Sequence, residues 1–329
     1  MRRQISSRPQ KLGNSLGGPS IGAARDLTAR QTQAVKFTLA LAMTPPERIL
    51  PLARIADESG WDAVAVPDSV FFPESVSAKY PFTPDGDRFW PADAPFVDPL
   101  VAIPAMAAAT EHLTFVTNVL KTPLREPLLV AKSVGSMASM FPGRIGLGVG
   151  LSWMPEEFTW LGQEMKTRGK RLDEQIVVIR KLLAGGWVEH HGTHYNFDRL
   201  RMEPAPGPGV PIHVGGHSEA GMRRAARLAD GWIGAQAGHE ELAALIARLW
   251  AELDKADKPV EGYEVQATPL VPATVEAMEA LAEIGLTGVI TVPWYFMGGG
   301  DPNDEAFQDE SVRAFAETVI KPMRREANS

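Results

Sequence analysis

The feature that most constrains this sequence is a pattern that recurs eight times from Lys36 onward: a short apolar run with β propensity, a polar loop, and a helical stretch. Runs such as WDAVAV and GVITV are apolar almost throughout, which is typical of parallel strands buried on both faces. Strands that alternate with helices predict right-handed crossovers and a parallel sheet. The eight predicted strands are residues 36–42, 61–67, 113–119, 145–149, 211–215, 231–235, 263–271 and 288–293.

Eight such units favour a closed (β/α)8 TIM barrel over an open doubly wound sheet. The open sheet stays an alternative, because the run 263–271 ends in a stretch that contains proline. The boundaries of several helices are also readable. Thr44, Asp98 and Ser218 are expected to cap helix N-termini, and Gly60 is expected to end the first helix.

The first 35 residues differ from the rest of the chain. They carry six basic residues and one acidic residue, are rich in Arg, Ser, Gly and Gln, and show no apolar periodicity. We predict a disordered basic tail at 1–35 and one barrel domain at 36–329; a transit peptide is the alternative interpretation of the tail. The net charge of the whole chain is -7, so the part beyond the tail is acidic, which argues against a nucleic-acid partner.

Cysteine is absent from the sequence. This excludes disulfides, iron–sulfur clusters, thiolate zinc sites and thiol nucleophiles. No apolar run is long enough for a membrane span, and we expect a cytoplasmic protein that acts on a small molecule, without a membrane partner.

Two insertions interrupt the regular spacing. Residues 68–97, after the second predicted strand, hold seven aromatic residues and five prolines, too apolar for a linker. A loop of this length in a barrel is expected to lie at the C-terminal face, where ligands bind. Residues 187–209, before the fifth predicted strand, are expected to form a hairpin that turns at Gly192-Thr193.

The barrel prediction directs attention to the residues at the ends of the strands. Four segments stand there: Asp68-Ser69, Thr117-Asn118-Val119, Gly148-Val149-Gly150 and Gly215-Gly216-His217-Ser218. Glycines between a strand and a capped helix expose N–H groups that bind phosphate. A tight turn that needs positive φ explains the same glycines equally well.

Three further motifs have more than one interpretation. The glycines at 146, 148 and 150 alternate within a strand and do not form a dinucleotide fingerprint; we interpret them as room for a flat ring. The three histidines at 190, 191 and 194 lack the partners of a metal site, so no metal is predicted. Arg168, Arg171 and Glu174 form either a solvated ion-pair face or an anion clamp.

The segment FPGRIGLGVG at 141–150, followed by Glu157-Phe158, Leu161-Gly162 and RGKRLDE at 168–174, resembles the signature of the bacterial luciferase-like monooxygenase family. PIHVGGHS and RRAARLADGW add to the resemblance, which covers the chain from Lys36 to the C-terminus. Through VPDSVFFPES and VGGHSEAGMRRAARLADGW the chain is most similar to the branch that depends on the deazaflavin coenzyme F-420.

The resemblance implies a (β/α)8 barrel with a flavin or deazaflavin at its C-terminal mouth. By position, it implies that Asp68 lies near the cofactor ring and that Asn118-Val119 forms a non-prolyl cis peptide against that ring. It further implies that Gly215 and Gly216 donate to the cofactor phosphate. The complete set of cofactor-binding residues predicted in this way is Asp68, Asn118, Val119, Gly148, Gly150, Gly215, Gly216 and Ser218.

The chain departs from the sugar dehydrogenases of that branch at two catalytic positions. Ser69 stands where those enzymes place a histidine, and Trp153 aligns approximately with their glutamate, with Glu156 and Glu157 just beyond it. Serine is a poor base unless another group activates it. Asp68, Ser69 and Trp153 are therefore the predicted catalytic positions, and the substrate is expected to be apolar or aromatic rather than a sugar.

Three functions follow from these interpretations. The leading one is hydride transfer between coenzyme F-420 and a small hydrophobic substrate. The second is an FMN-dependent monooxygenase that uses reduced flavin and oxygen, and the third is a flavin-binding barrel without turnover. Lys79, Arg88, Lys121 and Arg125 are either receptors for the acidic tail of the cofactor or solvated charges. By analogy with relatives, a homodimer is expected.

Overall fold

The computed structural model describes residues 34–326, and nearly all of the predicted tail lies outside the described residues. The eight predicted strands are all present as one closed parallel barrel. The barrel is closed because the first strand pairs both with the second strand and with the last one. The open-sheet alternative is therefore wrong. The barrel strands are β1 Lys36–Ala40, β2 Ala63–Val66, β3 Thr114–Thr117, β4 Ile145–Val149, β7 Ile212–Gly215, β8 Gly231–Ala237, β9 Glu264–Pro269 and β10 Gly288–Thr291.

The insertion before the fifth barrel strand is an antiparallel hairpin of β5 Trp187–His191 and β6 Asn196–Arg201, as predicted. Its turn includes Gly192, whose N–H donates to the Tyr195 carbonyl at 3.0 Å. The insertion after β2, residues 68–97, contains neither helix nor strand. We call this segment the aromatic insertion.

Helices cover the outside of the barrel. Those of eight or more residues are α1 Pro46–Ser59, α2 Pro99–Ala109, α3 Pro127–Met140, α5 Arg168–Ala184, α6 Glu219–Leu228, α7 His239–Lys255, α8 Val275–Glu283 and α10 Glu305–Phe315. Shorter ones are α4 Pro155–Trp160, α9 Pro293–Phe296 and α11 Lys321–Glu326, and a short turn of 3-10 helix, Thr122–Leu124, follows β3. Over residues 34–326, we find no helix with the length and apolar character needed to cross a membrane.

The helix boundaries follow the predicted punctuation with one exception. Asp98 accepts a hydrogen bond from the Leu100 N–H at 2.8 Å, and Ser218 accepts one from the Gly221 N–H at 3.1 Å. Gly60 ends α1 in the left-handed conformation at φ 89°. The expected cap at Thr44 is wrong, because α1 begins only after Pro45 and no side chain caps it.

Two apolar clusters hold the fold. The larger one lies between the strands and the surrounding helices and includes the outward-facing residues of the strands. The smaller one alternates with it along the strands and therefore fills the barrel interior. Its members all have small or medium-sized side chains: Ala40, Ala65, Val116, Ile233 and Ile290.

The lower interior of the barrel, toward the N-terminal ends of the strands, is polar. His213 Nε2 lies 2.6 Å from Glu264 Oε2, and Lys36 Nζ lies 2.6 Å from Glu264 Oε1. Two glycines make room for this network. A Cβ at Gly231 would lie 2.4 Å from the His213 ring, and one at Gly288 would lie 2.9 Å from the Gln266 side chain. These glycines serve interior packing rather than a turn.

Candidate functional site at the barrel mouth

The mouth of the barrel, at the C-terminal ends of the strands, is organised around the peptide bond between Asn118 and Val119. This bond is cis, as the resemblance implied. The Asn118 N–H donates to the Val66 carbonyl at 2.7 Å. This hydrogen bond holds the cis peptide in its position between β2 and β4. The Val119 side chain packs on the interior cluster. Val119 therefore lies where the barrel interior opens into the mouth.

Two of the predicted site glycines lie directly against Val119. A Cβ at Gly150 would lie 2.3 Å from Val119 Cγ2, and a Cβ at Gly215 would lie 3.0 Å from Val119 Cγ1. The structure thus brings together residues at the C-terminal ends of three different strands, β3, β4 and β7. The sequence predicted each of them separately, and the tertiary structure makes them neighbours.

The interpretation that Gly148 and Gly150 leave room for a flat ring is wrong. A Cβ at Gly148 would lie 2.0 Å from the Thr117 carbonyl oxygen, so that space belongs to the neighbouring strand. The space beside Gly150 is occupied by the Val119 side chain. The glycines are required for close packing of β3 against β4. The assignment of both residues to cofactor binding stays a prediction.

Asp68, predicted to lie near a cofactor ring, is buried in an ion pair. Arg125 Nη1 lies 2.6 Å from Asp68 Oδ2, and Arg125 Nη2 lies 2.9 Å from Oδ1. The Lys121 N–H donates to the same carboxylate at 2.8 Å. Burial alone would lower the pKa of Arg125, but the hydrogen bonds and negative charges of Asp68 and Asp98 raise it above its ordinary value. Asp68 therefore fixes the segment that follows the cis peptide.

A second buried ion pair, between Lys121 and Glu157, lies beside the first. Lys121 Nζ is 2.6 Å from Glu157 Oε1, and the Glu157 side chain is 0% exposed. The Ser152 hydroxyl donates to the other oxygen of Glu157, and the Val70 N–H lies 3.4 Å from Oε1. Glu157 thus joins the loops that follow β2, β3 and β4. Glu157 was noted from the sequence as part of the family motif and as a carboxylate just beyond Trp153. Its partners were not predicted, since they are distant along the chain.

Neither of the two interpretations offered for Lys121 and Arg125 is correct. Both cations are paired with buried carboxylates, so they are neither solvated nor free to receive the acidic tail of a cofactor. Arg88 lies with its guanidinium carbon 3.4 Å from the centre of the Phe72 ring and donates to the Pro73 carbonyl at 2.9 Å. Only Lys79 is an exposed side chain of this group.

The aromatic insertion covers the mouth and reaches two loops on other strands. The Tyr80 ring is 5.3 Å from the ring of Trp153, which follows β4. The Phe82 ring is 5.5 Å from that of His217, which follows β7. Trp90 packs edge-on against Tyr80 at 5.1 Å. Burial raises the pKa of Tyr80 to about 12. The insertion therefore supplies an apolar aromatic cover for the mouth.

Trp153 and Ser69, two of the predicted catalytic residues, lie in this region. Trp153 contributes its ring to the aromatic cover. Ser69 is half-buried, and within the part of the chain that the structure describes no group hydrogen-bonds to its hydroxyl. Nothing described in the structure therefore activates Ser69 as a base or a nucleophile. Its catalytic role stays a prediction without structural support.

The loop between β7 and α6 carries the predicted phosphate site. Gly216 has φ 126°, and a Cβ built on it would meet no atom within 4 Å, so the loop needs glycine for its turn and is also open on that side. The Gly216 N–H donates to the Ile233 carbonyl at 3.3 Å, and Ser218 caps α6. The remaining N–H groups of the first turn of α6 have no partner within the helix. These N–H groups are better candidates for phosphate donors than the Gly216 N–H, which already donates to the Ile233 carbonyl.

His217, between these residues, was not predicted as a site residue. Its Nε2 accepts a hydrogen bond from the Ala235 N–H at 2.8 Å. The ring centre lies 5.9 Å from that of the fully buried Trp232. Its position in the loop after β7 was the only feature of the sequence that could have indicated His217 as a site residue.

Other predicted charged residues hold the hairpin and take no part in the mouth. Glu174 accepts hydrogen bonds from the Tyr195 N–H at 2.9 Å and the His194 N–H at 3.0 Å, and its Oε1 lies 3.0 Å from His190 Nε2. Burial alone would raise the pKa of Glu174, but these hydrogen bonds lower it. Arg171 donates to the Gln163 side chain. Neither the solvated ion-pair face nor the anion clamp describes this group.

The fold and the mouth together define a (β/α)8 barrel with a candidate ligand site at its C-terminal face, beside an aromatic insertion. The model of the luciferase-like monooxygenase family matches residues 25–317, a range that begins inside the predicted tail. The chain therefore belongs to the luciferase-like monooxygenase family.

Two curated relatives illustrate what is known of similar sequences. An uncharacterized protein of Mycobacterium tuberculosis is 40% identical over 291 residues, which cover 87% of this chain and 99% of that protein. An "F420-dependent glucose-6-phosphate dehydrogenase" of Nakamurella multipartita is 33% identical over 193 residues, 57% of this chain and 52% of that protein.

Solved structures share the fold at low sequence identity. The coenzyme F420-dependent tetrahydromethanopterin reductase from Methanopyrus kandleri superposes with a TM-score of 0.68 at 13% identity, over 88% of this chain and 99% of its own. The EDTA monooxygenase from Chelativorans sp. BNC1 gives 0.66 at 14% identity, over 89% and 94%. Proteins of this fold thus include an F420-dependent reductase and a monooxygenase.

Proposed function

We propose that this protein is a cytoplasmic oxidoreductase that transfers a hydride between coenzyme F-420 and a small hydrophobic substrate. The observation that carries the proposal is the arrangement of the mouth, where Val119 of the cis peptide lies between Gly150 and Gly215. The aromatic insertion contacts the loops that follow β4 and β7 at the same face. The choice of F-420 over FMN is supported by the relatives named as F420-dependent dehydrogenases.

The residues of the mouth fit a cofactor of this class. The start of α6 offers N–H groups and the positive end of a helix dipole to a phosphate. The open side of Gly216 leaves room for the phosphate to approach. Val119 presents an apolar surface at the centre of the mouth, which suits a flat ring. When bound, a deazaflavin supplies the hydride chemistry, and the protein supplies orientation.

The side chains of this chain have supporting roles in the proposed reaction. Asp68 and Glu157 hold the segments on both sides of the mouth through buried ion pairs. The aromatic insertion excludes water from the space above Val119. An apolar cover around Tyr80 and Trp153 favours an aromatic or apolar substrate over a phosphorylated sugar.

The test is a pair of titrations of the purified protein, one with F-420 and one with FMN, followed by fluorescence. We expect tight binding of F-420. Tight binding of FMN alone would support the monooxygenase alternative and contradict the deazaflavin proposal. Binding of neither cofactor would contradict both.

The position of the phosphate is tested by Gly216→Val. The added side chain would fill the open space at the start of α6, so we expect a large loss of cofactor affinity. Gly207→Val is the matched control, because Gly207 also has a positive φ, 90°, and open space at its Cβ, but lies after the hairpin. Equal affinities in the two variants would place the phosphate elsewhere. Gly215→Val tests the neighbouring position, where the new side chain would also press on Val119.

A further inference from the structure

One nitrogen of the His217 imidazole forms a hydrogen bond within the protein, and the other does not. Its Nε2 accepts the Ala235 N–H at 2.8 Å, so in the neutral ring the proton resides on Nδ1. Across residues 34–326 no group forms a hydrogen bond with Nδ1, and Nδ1 is not among the buried unpartnered atoms. The backbone of β8 therefore fixes the tautomer and leaves an accessible N–H donor at the mouth.

The surroundings of this donor are apolar and aromatic. Phe82 of the aromatic insertion packs edge-on against the His217 ring, and Trp232 lies on another side. Burial lowers the pKa of His217, the nearby Glu241 acts to raise it and Arg248 acts to lower it, with a net decrease. At neutral pH the ring is therefore an uncharged donor, which suits a neutral oxygen better than an anion.

We propose that His217 is a substrate-binding residue, whose Nδ1–H donates to the carbonyl or hydroxyl oxygen of an aromatic ketone, aldehyde or alcohol. This inference rests on the proposed function, because it identifies the substrate class of the same mouth. The aromatic insertion covers the apolar part of the ligand, and His217 orients its oxygen. No other residue of the β7–α6 loop offers a side-chain donor that is both accessible and uncommitted, since the Ser218 hydroxyl caps α6.

The test uses two probes of nearly equal shape: acetophenone, which has a carbonyl oxygen, and α-methylstyrene, which has a methylene group in its place. Their dissociation constants are measured by ligand-observed NMR, with and without saturating F-420. We expect the wild-type protein to prefer acetophenone by about fivefold beyond the difference seen in water, the value of one net hydrogen bond. Equal binding of the two probes would overturn the proposal.

Two variants form a matched pair. His217→Phe and His217→Asn both lose the bond to the Ala235 N–H, but only asparagine keeps an N–H donor close to the position of Nδ1. We expect the preference for acetophenone to disappear in His217→Phe and to persist in His217→Asn. A preference that survives in His217→Phe would contradict the proposal.

The ¹⁵N resonances of the His217 ring give an independent readout that a structural role would not change. We expect the neutral Nδ1–H tautomer at about pH 8, and a shift of Nδ1 on addition of acetophenone. A response to inorganic phosphate instead would assign His217 to the cofactor phosphate and overturn the proposal. Loss of F-420 binding contradicts the proposed function alone, whereas loss of the ketone preference contradicts this inference alone.

Discussion

Arg125 binds the carboxylate of Asp68 with both terminal nitrogens of its guanidinium group, at 2.6 and 2.9 Å. The two residues are 57 positions apart and follow β3 and β2, respectively. The Asp68 side chain is 2% exposed. The pair therefore sets the position of the segment after the cis peptide, and its effect on a bound ligand is exerted through that segment.

Replacement of Asp68 by asparagine is expected to lower the free energy of unfolding by about 3 kcal/mol, because it leaves the half-buried Arg125 without its main counter-charge. The control is Asp98→Asn. Asp98 lies 3.5 Å from the same guanidinium group, but its side chain is 48% exposed, and asparagine still caps α2. We expect a loss below about 1 kcal/mol for the control. Urea unfolding measures both, and equal losses would show that burial does not strengthen the Asp68 pair.

The Lys121–Glu157 pair is tested by a double-mutant cycle. Glu157→Leu alone leaves a buried lysine unpaired, which costs about 4 kcal/mol, and Lys121→Met alone leaves a fully buried carboxylate. The double variant replaces both charges by apolar groups, so we expect it to be more stable than the sum of the single losses by about 2 kcal/mol. The same cycle at Arg201 and Glu203, both 54% exposed, should give a coupling below about 1 kcal/mol.

A methyl group at Gly148 is expected to be poorly tolerated. The Cβ of Gly148→Ala would lie 2.0 Å from the Thr117 carbonyl oxygen, so β3 and β4 must separate, at a cost of about 3 kcal/mol. Gly146→Ala is the control in the same strand, because its nearest neighbour would be 3.6 Å away. Denaturation midpoints compare the two variants. A stable Gly148→Ala protein with normal cofactor affinity would contradict the packing explanation.

The Glu264 carboxylate in the lower barrel is expected to make stability depend on pH. Burial alone would raise its pKa, but the hydrogen bond and charge of His213, together with Lys36, lower it from 4.5 to about 2. A group whose pKa is lower in the folded state stabilises that state above its unfolded pKa. The contribution of Glu264, about 3 kcal/mol, is therefore complete above pH 4.5 and is lost as the pH falls toward 2.

Urea unfolding of the wild-type protein and of Glu264→Gln measures this contribution. The difference in stability between the two proteins should shrink as the pH is lowered from about 5 to about 3. Glu219→Gln is the control, since Glu219 is paired with Arg223 at an exposed position. A Glu264 difference that stays constant over this range would contradict the lowered pKa.

The barrel was predictable because each strand and helix end is marked by residues that are close together in the sequence. A parallel strand buried on both faces is apolar along its whole length, so WDAVAV identifies β2 without knowledge of its neighbours. Asp98, Ser218 and Gly60 mark helix ends through contacts with residues close in the chain. The resemblance to a family added the cis peptide at Asn118–Val119, which no local pattern indicated.

The contacts of the mouth were not predictable in the same way. Arg125 was expected to be solvated or to bind a cofactor tail, yet it pairs with Asp68, and His217 meets Phe82 from a distant insertion. Such partners become neighbours only after eight strands bring their C-terminal ends to one face. The sequence by itself determined the eight strand-and-helix units and the positions of the loops, whereas the pairing of β1 with both β2 and β10 decided that the sheet closes. The tertiary structure decided which charges are neutralised, which glycines are filled by protein and which histidine keeps a free donor, because these depend on distances between segments that no local pattern encodes.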